Sequence, residues 1–176
     1  MARHRFALSL SLALALALTG LVAPRSSRVV AAQAASNACG LLTLEEIQPL
    51  TGVHQKVSEG VGGALQSSGR TTCRYEWGTG TGRYILSVVV ADASTMFAGQ
   101  SADAIKQGLS TPTPGTGSEA IPGVGEAAAF KSDSQFLATT SALVKGRILQ
   151  LNLDGYDARD KKDQVIALLK SASARL

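Results

Sequence analysis

The sequence contains few of the side chains that hold metals or transfer protons, with two histidines and two cysteines among 176 residues. One histidine, His4, lies in the N-terminal apolar segment, so that His54 is the one histidine of the remaining chain. A tetrahedral zinc site draws mainly on Cys and His ligands, and one histidine with two cysteines does not complete it. The sequence therefore predicts no metal and no cofactor.

Aromatic residues are also scarce, at 5% of the chain. Two interpretations of them stay open: they line a ligand pocket between a sheet and helices, or they belong to the hydrophobic core, which is the more frequent place for a small number of aromatic rings. The six side chains concerned are Tyr75, Trp77, Tyr84, Phe97, Phe130 and Phe136.

The chain has 17 basic and 13 acidic residues, but the excess of positive charge is confined to its first segment. Four arginines lie within residues 1–32, and without them 13 basic residues face 13 acidic ones. A neutral domain without a basic stripe lacks the electrostatic footprint of a nucleic-acid-binding protein and the polybasic patch of a membrane-surface protein. We therefore expect no nucleic acid as a partner.

The N-terminal segment has the pattern of a secretory signal. Arg3, His4 and Arg5 precede an uncharged run over 6–23, and small residues follow at Val30-Ala31-Ala32. This order predicts a signal peptide over 1–32 with cleavage near 32–34, and a single secreted or extracytoplasmic domain over 33–176. An uncleaved membrane anchor is the alternative, because 18 residues approach the length that spans a bilayer. After cleavage we expect no stable membrane insertion.

Cys39 raises three possibilities: a lipid attachment point, a catalytic or metal-binding thiol, and half of a disulfide. A lipoprotein signal places its cysteine directly after the apolar run, whereas 24–38 separates the two here, so a lipid anchor is not expected. A catalytic thiol needs a neighbouring base, and His54 is the one histidine left for that role. Two cysteines in an oxidising compartment most simply pair with each other, which predicts a disulfide between Cys39 and Cys73.

The first half of the domain shows one helix and one hairpin. Thr43 and Glu46 form a capping box, which predicts a helix from Thr43 to Leu50 or Thr51. We expect a short strand over 53–57 and a loop over 59–70. Alternating apolar residues then predict two strands over 71–77 and 83–91, joined by a turn at GTGTG, with the second strand covered on both faces.

In the second half, the sequence predicts a helix from Ser94 or Thr95 to Gln107 that ends at Gly108, then a Pro/Gly-rich surface linker over 110–125. Three strands and a C-terminal helix from Asp157 or Asp160 follow. The order of elements predicts an α+β fold, an antiparallel sheet with helices packed on it, and it is compatible with two unequal half-repeats. The predicted strands are 126–131, 135–144 and 147–154, with a tight turn at Lys145-Gly146.

Two further motifs have a functional and a structural interpretation. Asp154, Asp157, Asp160 and Asp163 recur every third residue, as in oxygen-rich calcium sites, but their spacing differs from the EF-hand pattern and the start of a helix also favours carboxylates. Ser118 stands between Gly117 and Glu119, but the residues two positions before and after it are not the glycines that a nucleophile elbow needs. The sequence predicts a solvated helix start for the first motif and a loop serine for the second, with no catalytic residues.

Three short motifs carry a resemblance to a known family: CGLLT over 39–43, CRYEW over 73–77 and PGVGEA over 122–127. In this combination the chain resembles a family of small exported actinobacterial proteins of unknown function. Many of these are cell-envelope lipoproteins, and they are related to extracellular sensor-type domains. The resemblance implies that Cys39 and Cys73 pair with each other, that a lipidated cysteine, where present, lies earlier in the chain, and that there are no catalytic residues to transfer.

The sequence does not identify a reaction. We expect a secreted or cell-envelope binding module, without catalysis, for an unknown protein, glycan or lipid ligand. A secreted hydrolase with a serine nucleophile and His54 is one alternative. A structural or inhibitory envelope protein is another.

Overall fold

The computed structural model describes residues 37–51, 58–60, 69–111 and 115–176, which form an α+β domain. The predicted signal peptide, its cleavage site, the predicted strand over 53–57 and His54 lie outside the described residues. The strands are β1 (Ser58–Gly60), β2 (Arg70–Trp77), β3 (Tyr84–Asp92), β4 (Ser118–Ala120), β5 (Ala127–Ser134), β6 (Leu137–Val144) and β7 (Arg147–Asp154). The helices are α1 (Leu44–Thr51), α2 (Ala93–Met96), α3 (Ala102–Ser110) and α4 (Lys162–Arg175).

The strands form one antiparallel sheet in the order β1-β2-β3-β7-β6-β5-β4. Each half of the chain contributes a meander, and the last strands of the two meanders, β3 and β7, pair at the centre. This strand order agrees with the two predicted half-units. The helices do not follow it, because those after β3 pack on one face of the sheet and the helix after β7 packs on the other.

The front face, defined by the side of β3 that carries Leu86, Val88 and Val90, contains the main hydrophobic core. In register with these residues, β7 contributes Leu153, Leu151 and Leu149, and all six are buried. Helices α1 and α4 cover them with a second apolar layer. Its buried residues are Ile47, Leu50, Val165, Leu168, Leu169 and Ala172.

The predicted disulfide is present, and it ties the N-terminal segment to the sheet. Cys39 and Cys73 are bonded with a Cα–Cα distance of 4.9 Å. The hydroxyl of buried Tyr75 donates to the backbone carbonyls of Cys39 (3.4 Å) and Leu42 (3.3 Å). Helix α1 follows directly, and it begins with the predicted capping box. The backbone N–H of Glu46 donates to Thr43 Oγ1 at 3.3 Å, and the backbone N–H of Thr43 donates to Glu46 Oε2 at 2.9 Å.

The single helix predicted from Ser94 or Thr95 to Gln107 is wrong, because the segment forms two helices. Gly99 adopts a φ of 81°, in the left-handed region that interrupts a right-handed helix. Ser101 then caps α3 by accepting from the backbone N–H of Ala104 at 3.2 Å. Gly108 lies inside α3 instead of ending it. Helices α2 and α3 pack on the back face of the sheet around Leu143 and Ile148.

The segment over 110–125, predicted as a surface linker, contains a strand and two core residues. Ser118–Ala120 forms β4 and pairs with β5, and Ile121 and Val124 are buried in the front core. Backbone pairing needs no particular side-chain pattern, so a three-residue strand inside a Pro/Gly-rich stretch leaves little signal in the sequence. The loop predicted over 59–70 likewise overlaps both β1, through Glu59 and Gly60, and the first residue of β2.

The remaining helices and strands predicted within the described residues agree with the structure to within a few residues. Lys145 and Gly146 join β6 to β7 with φ values of 51° and 75°, the two positive values that a tight hairpin turn requires. A 3₁₀ turn over Ala158–Lys161 leads into α4, which is the predicted C-terminal helix. Within the ranges that the structure describes, no helix has the length and apolar character needed to cross a membrane.

Candidate functional site

The described candidates for a hydrolase, Ser118 and the adjacent carboxylates Glu45 and Glu46, lie on different elements, β4 and α1. Ser118 is the first residue of the edge strand β4, in register with Lys131 of β5, and it is not on a strand-to-helix elbow. Glu45 and Glu46 project from successive positions of α1, and Glu46 is held in place by other groups. A serine nucleophile paired with His54 stays a prediction, because His54 lies outside the described residues.

Among the described carboxyl groups, Glu46 has the most strongly lowered pKa, and its hydrogen-bond partners are the cause. The guanidinium of Arg175 donates to its two oxygens at 2.6 and 2.7 Å, and Ser171 and the backbone N–H of Thr43 donate as well. Led by the Arg175 hydrogen bonds and opposed by partial burial, these contacts lower the pKa of Glu46 to about 2. A carboxylate with such partners joins α1 to α4 and is a poor proton carrier at neutral pH.

A cleft of about 240 Å³ lies beside this ion pair, between α1 and α4. Its walls are apolar, with Pro49 and Leu50 on one side and Ala167 and Leu168 on the other, and Glu46 stands at its rim. The cleft is smaller than the 300 to 1,000 Å³ or so of a typical small-molecule site, and Arg175 and Ser171 already engage the carboxylate at its rim.

Two of the four aspartates of the DGYDARDKKD stretch have side-chain partners. Asp157 accepts a hydrogen bond from the Tyr84 hydroxyl and lies 3.7 Å from Lys161, and Asp160 lies 3.8 Å from Arg159. Among the residues that the structure describes, no group of three His, Cys, Asp or Glu side chains is placed to hold a metal ion.

Most of the six aromatic side chains belong to the interior. Tyr75, Trp77 and Phe130 are buried, and Tyr84 stacks on Trp77 with ring centroids 5.5 Å apart. Phe97 is half-buried against the back-face helices. Phe136 is the exception, because it lies in the turn between β5 and β6 and not in the strand predicted from Gln135, with 50% of its surface exposed.

Phe136 and Tyr156 together form what we call the aromatic pair. Tyr156 is 65% exposed, and the two ring centroids are 6.1 Å apart with the rings tilted by 58°. The backbone N–H of Gly155 donates to the Phe136 carbonyl at 2.9 Å and holds the two turns together. The sequence does not predict this role for Tyr156. Phe136 and Gly155 are separated by 18 residues, and only the pairing of the start of β6 with the end of β7 brings them together.

The back face of the sheet carries a second group of partly exposed side chains, which we call the open face. Its five members lie on the three central strands β3, β6 and β7, and each is half-buried. They are Ser87, Thr139, Ser141, Gln150 and Asn152. All five are uncharged and carry a hydroxyl or an amide.

Hydrogen bonds orient the amides of the open face. Asn152 lies in register with Ser87 on one side and with Thr139 on the other. Its Oδ1 atom accepts from Thr139 Oγ1 at 3.0 Å and from Gln150 Nε2 at 3.1 Å. Because the oxygen is engaged by Thr139 and Gln150, the amide nitrogen is the group of Asn152 that can donate to a ligand.

Charged side chains flank the open face on the outer strands, where they form ion pairs. Arg74 and Glu76 on β2 are 2.6 Å apart, and Lys131 and Asp133 on β5 are 3.0 Å apart. Glu76 is also 2.5 Å from Arg83, so that the β2 side carries two arginines for one carboxylate. Asp154, exposed at the end of β7, adds one carboxylate beside the face.

The fold and this surface define a disulfide-stapled α+β domain with one sheet face that the described helices cover only in part. Comparison of the chain with protein-family models, with curated protein sequences and with solved structures gives no match. The resemblance to exported actinobacterial proteins stays a prediction from the three short motifs.

Proposed function

We propose that the protein is a secreted or cell-envelope binding module without catalytic activity, and that its ligand binds the open face. The observation that carries the proposal is the set of five uncharged, half-buried polar side chains on the three central strands of the sheet. Solvated surfaces of soluble domains are usually rich in Lys, Arg, Glu and Asp. An amide and hydroxyl surface at the centre of a sheet differs from that pattern and provides directed hydrogen-bonding groups.

The scaffold supports the proposal because it keeps this surface rigid. The five side chains project from strands that are paired on both sides, and the Thr139 and Gln150 hydrogen bonds hold the Asn152 amide in one orientation. Binding to groups that are already ordered costs less conformational entropy than binding to mobile loops. A rigid strand surface is therefore a favourable place for recognition.

The extracytoplasmic location rests on two independent features. The N-terminal pattern over 1–32 is typical of a secretory signal, and the Cys39–Cys73 disulfide is a bond that oxidising compartments maintain. Mass spectrometry of the unreduced protein from its producing cell tests this part directly. We expect an N-terminus near residues 33–35, no acyl mass and no free thiol.

Site-specific photo-crosslinking tests the binding face. A photoreactive amino acid replaces Ser141 on the open face in one version of the full secreted chain, and it replaces Lys170, exposed on α4, in the control. Both proteins are irradiated with the washed cell envelope of the producing organism. We expect a discrete adduct, protein or glycan, from position 141 and not from position 170. Equal labelling at both positions, or none at either, contradicts the proposal.

A further inference from the structure

At the β2 end of the open face, two arginines share one carboxylate. Arg74 lies in register with Ser87, so its side chain is on the same side of the sheet, and Glu76 follows two residues later on that side. Arg74 Nε is 2.6 Å from one oxygen of Glu76, and Arg83 Nη2 is 2.5 Å from the other. We call Arg74 and Arg83 the arginine pair.

The arginine pair keeps a net positive charge after its contacts with Glu76. The hydrogen bond from Arg83 leads the contacts that lower the pKa of Glu76, so this carboxylate is ionised at neutral pH and cancels one of the two charges. A guanidinium has five N–H donors. Beyond Glu76, neither guanidinium has an acceptor among the residues that the structure describes. With 45% and 51% of these two side chains exposed, the remaining donors are available to an anion from solution.

Polar side chains continue from the arginine pair across the centre of the sheet. Successive register positions on β2, β3, β7 and β6 are occupied by Arg74, Ser87, Asn152 and Thr139, and side chains in register lie on the same face. Neighbouring strands are about 4.8 Å apart, so roughly 14 Å separates Arg74 from Thr139. A ligand along this row therefore meets one positively charged end and then three uncharged hydrogen-bonding side chains.

We propose that the ligand of the open face is an acidic glycan. A uronate carboxylate of the glycan binds the arginine pair, and its hydroxyl groups bind Ser87, Asn152 and Thr139. This inference rests on the proposed function and adds the chemical class of the ligand. Two properties of the surface support it: the distribution of charge and the chemistry of the uncharged side chains.

The distribution of charge selects an acidic group and the place where it binds. Guanidinium N–H groups form paired hydrogen bonds with a carboxylate, and such charge-assisted bonds are stronger than neutral ones. Asp154 lies two strands from Glu76, with Ile85 in register between them, so about 10 Å separates it from β2 and salt screens its repulsion of a carboxylate there. Beyond the other end of the row, Lys131 is paired with Asp133. The arginine pair is therefore the end of the row that attracts an anion.

The uncharged side chains of the row match the hydroxyl groups of a sugar. The Asn152 nitrogen donates to a sugar oxygen, and the Ser87 hydroxyl rotates to donate or accept. Thr139 donates to Asn152 and still accepts from a ligand. The core of a protein–protein interface is usually rich in aromatic residues and depleted in serine. The row contains no aromatic or large apolar side chain, so a polyhydroxylated ligand fits it better than a folded protein partner.

A glycan array with the purified full-length secreted protein tests the inference. The array carries short oligosaccharides of glucuronate, galacturonate and mannuronate, each beside its carboxyl-reduced neutral form, together with sulfated oligosaccharides. Titration calorimetry then measures the affinities for the bound glycans with wild type, Arg74→Gln and Asn152→Ala. Arg159→Gln is the matched control, because Arg159 is an exposed arginine 3.8 Å from one carboxylate, Asp160, outside the proposed site. Circular dichroism confirms that every variant is folded.

We expect binding to at least one uronate glycan, binding of its carboxyl-reduced form that is weaker by about tenfold or more, and an affinity that falls as salt rises. Arg74→Gln and Asn152→Ala should each lose about tenfold or more in affinity, and Arg159→Gln should keep that of wild type. Equal affinity for the carboxyl-reduced form, a preference for sulfated glycans, or unchanged affinity in either site variant overturns the inference.

The crosslinking experiment separates this inference from the proposed function. If no acidic glycan binds but the Ser141 crosslinker captures an envelope protein or a neutral glycan, the ligand class is wrong and the proposed function stands. If neither experiment detects a ligand, both proposals fail.

Discussion

Arg175, the last residue of α4, holds the carboxylate of Glu46 in α1 through two contacts of 2.6 and 2.7 Å. Arg175 also donates to the backbone carbonyl of Leu41 at 2.7 Å. The C-terminal helix is thus joined to the segment that follows Cys39, and the two ends of the described chain are tied to each other on the front face.

This contact predicts a pH-dependent contribution to stability. Because folding lowers the pKa of Glu46 from 4.5 to about 2, its contribution is complete above pH 4.5 and is lost as the pH falls towards 2. After allowance for the partial exposure of the pair, Glu46→Gln should lower the free energy of unfolding at pH 7 by about 1 to 2 kcal/mol. Urea unfolding of wild type and Glu46→Gln at a series of pH values from 7 to 2.5 measures this difference in the free energy of unfolding.

Glu126→Gln, at an exposed position before β5, is the control for the loss of one carboxylate. The wild type and this control should lose stability between pH 4.5 and 2.5 more steeply than Glu46→Gln. Parallel curves for all three proteins would show that the Arg175 contact contributes nothing.

The disulfide should contribute more than any single side-chain contact. It closes a loop with a sequence separation of 34 residues, for which the chain-entropy model gives about 3.5 to 4 kcal/mol. The double variant Cys39→Ala/Cys73→Ala should lose about that free energy of unfolding in urea, and wild type with reduced, alkylated cysteines should behave likewise. A difference below about 1 kcal/mol would mean that the Tyr75 and Arg175 contacts alone hold the N-terminal segment.

Thr140 is a buried threonine whose hydroxyl has no hydrogen-bond partner among the described residues. A buried unpaired hydroxyl costs free energy, so Thr140→Val should raise the free energy of unfolding by about 1 kcal/mol. The adjacent Thr139→Val is the matched control. It removes the donor to Asn152 and should lower the free energy of unfolding by about 0.5 kcal/mol. Destabilisation by both variants would indicate that Thr140 has a partner in solution.

Gly155 leaves space for the ring of Tyr84, which stacks on Trp77. A Cβ atom at position 155 would stand 2.0 Å from a ring carbon of Tyr84. Gly155→Ala should therefore displace this ring, cost about 1 to 3 kcal/mol of stability and shift the emission of Trp77, the one tryptophan of the chain. In Gly82→Ala, the added methyl group meets nothing within 4 Å. Unchanged fluorescence and stability in Gly155→Ala would contradict this packing.

The predictions that held are those whose signal lies within a few consecutive residues. Thr43 and Glu46 cap a helix from positions three residues apart, the alternation of Cys73, Tyr75 and Trp77 marks one buried face, and Lys145-Gly146 supplies the backbone freedom of a tight turn. The predictions that failed involve weaker local signals. Gly99 interrupts an apparently continuous helix, and Ser118–Ala120 becomes a strand only because β5 is available to pair with it.

The candidate site was not visible in the sequence for the same reason. Ser87, Thr139 and Asn152 are far apart along the chain, and they form one surface only because β3 and β6 pair on opposite sides of β7. Phe136 and Tyr156 are likewise joined by the pairing of strand ends. Local patterns specify helices, turns and the buried side of each strand, because those depend on neighbouring residues. Which strands lie side by side, and therefore which polar side chains share a surface, depends on long-range pairing that no short stretch of the chain encodes.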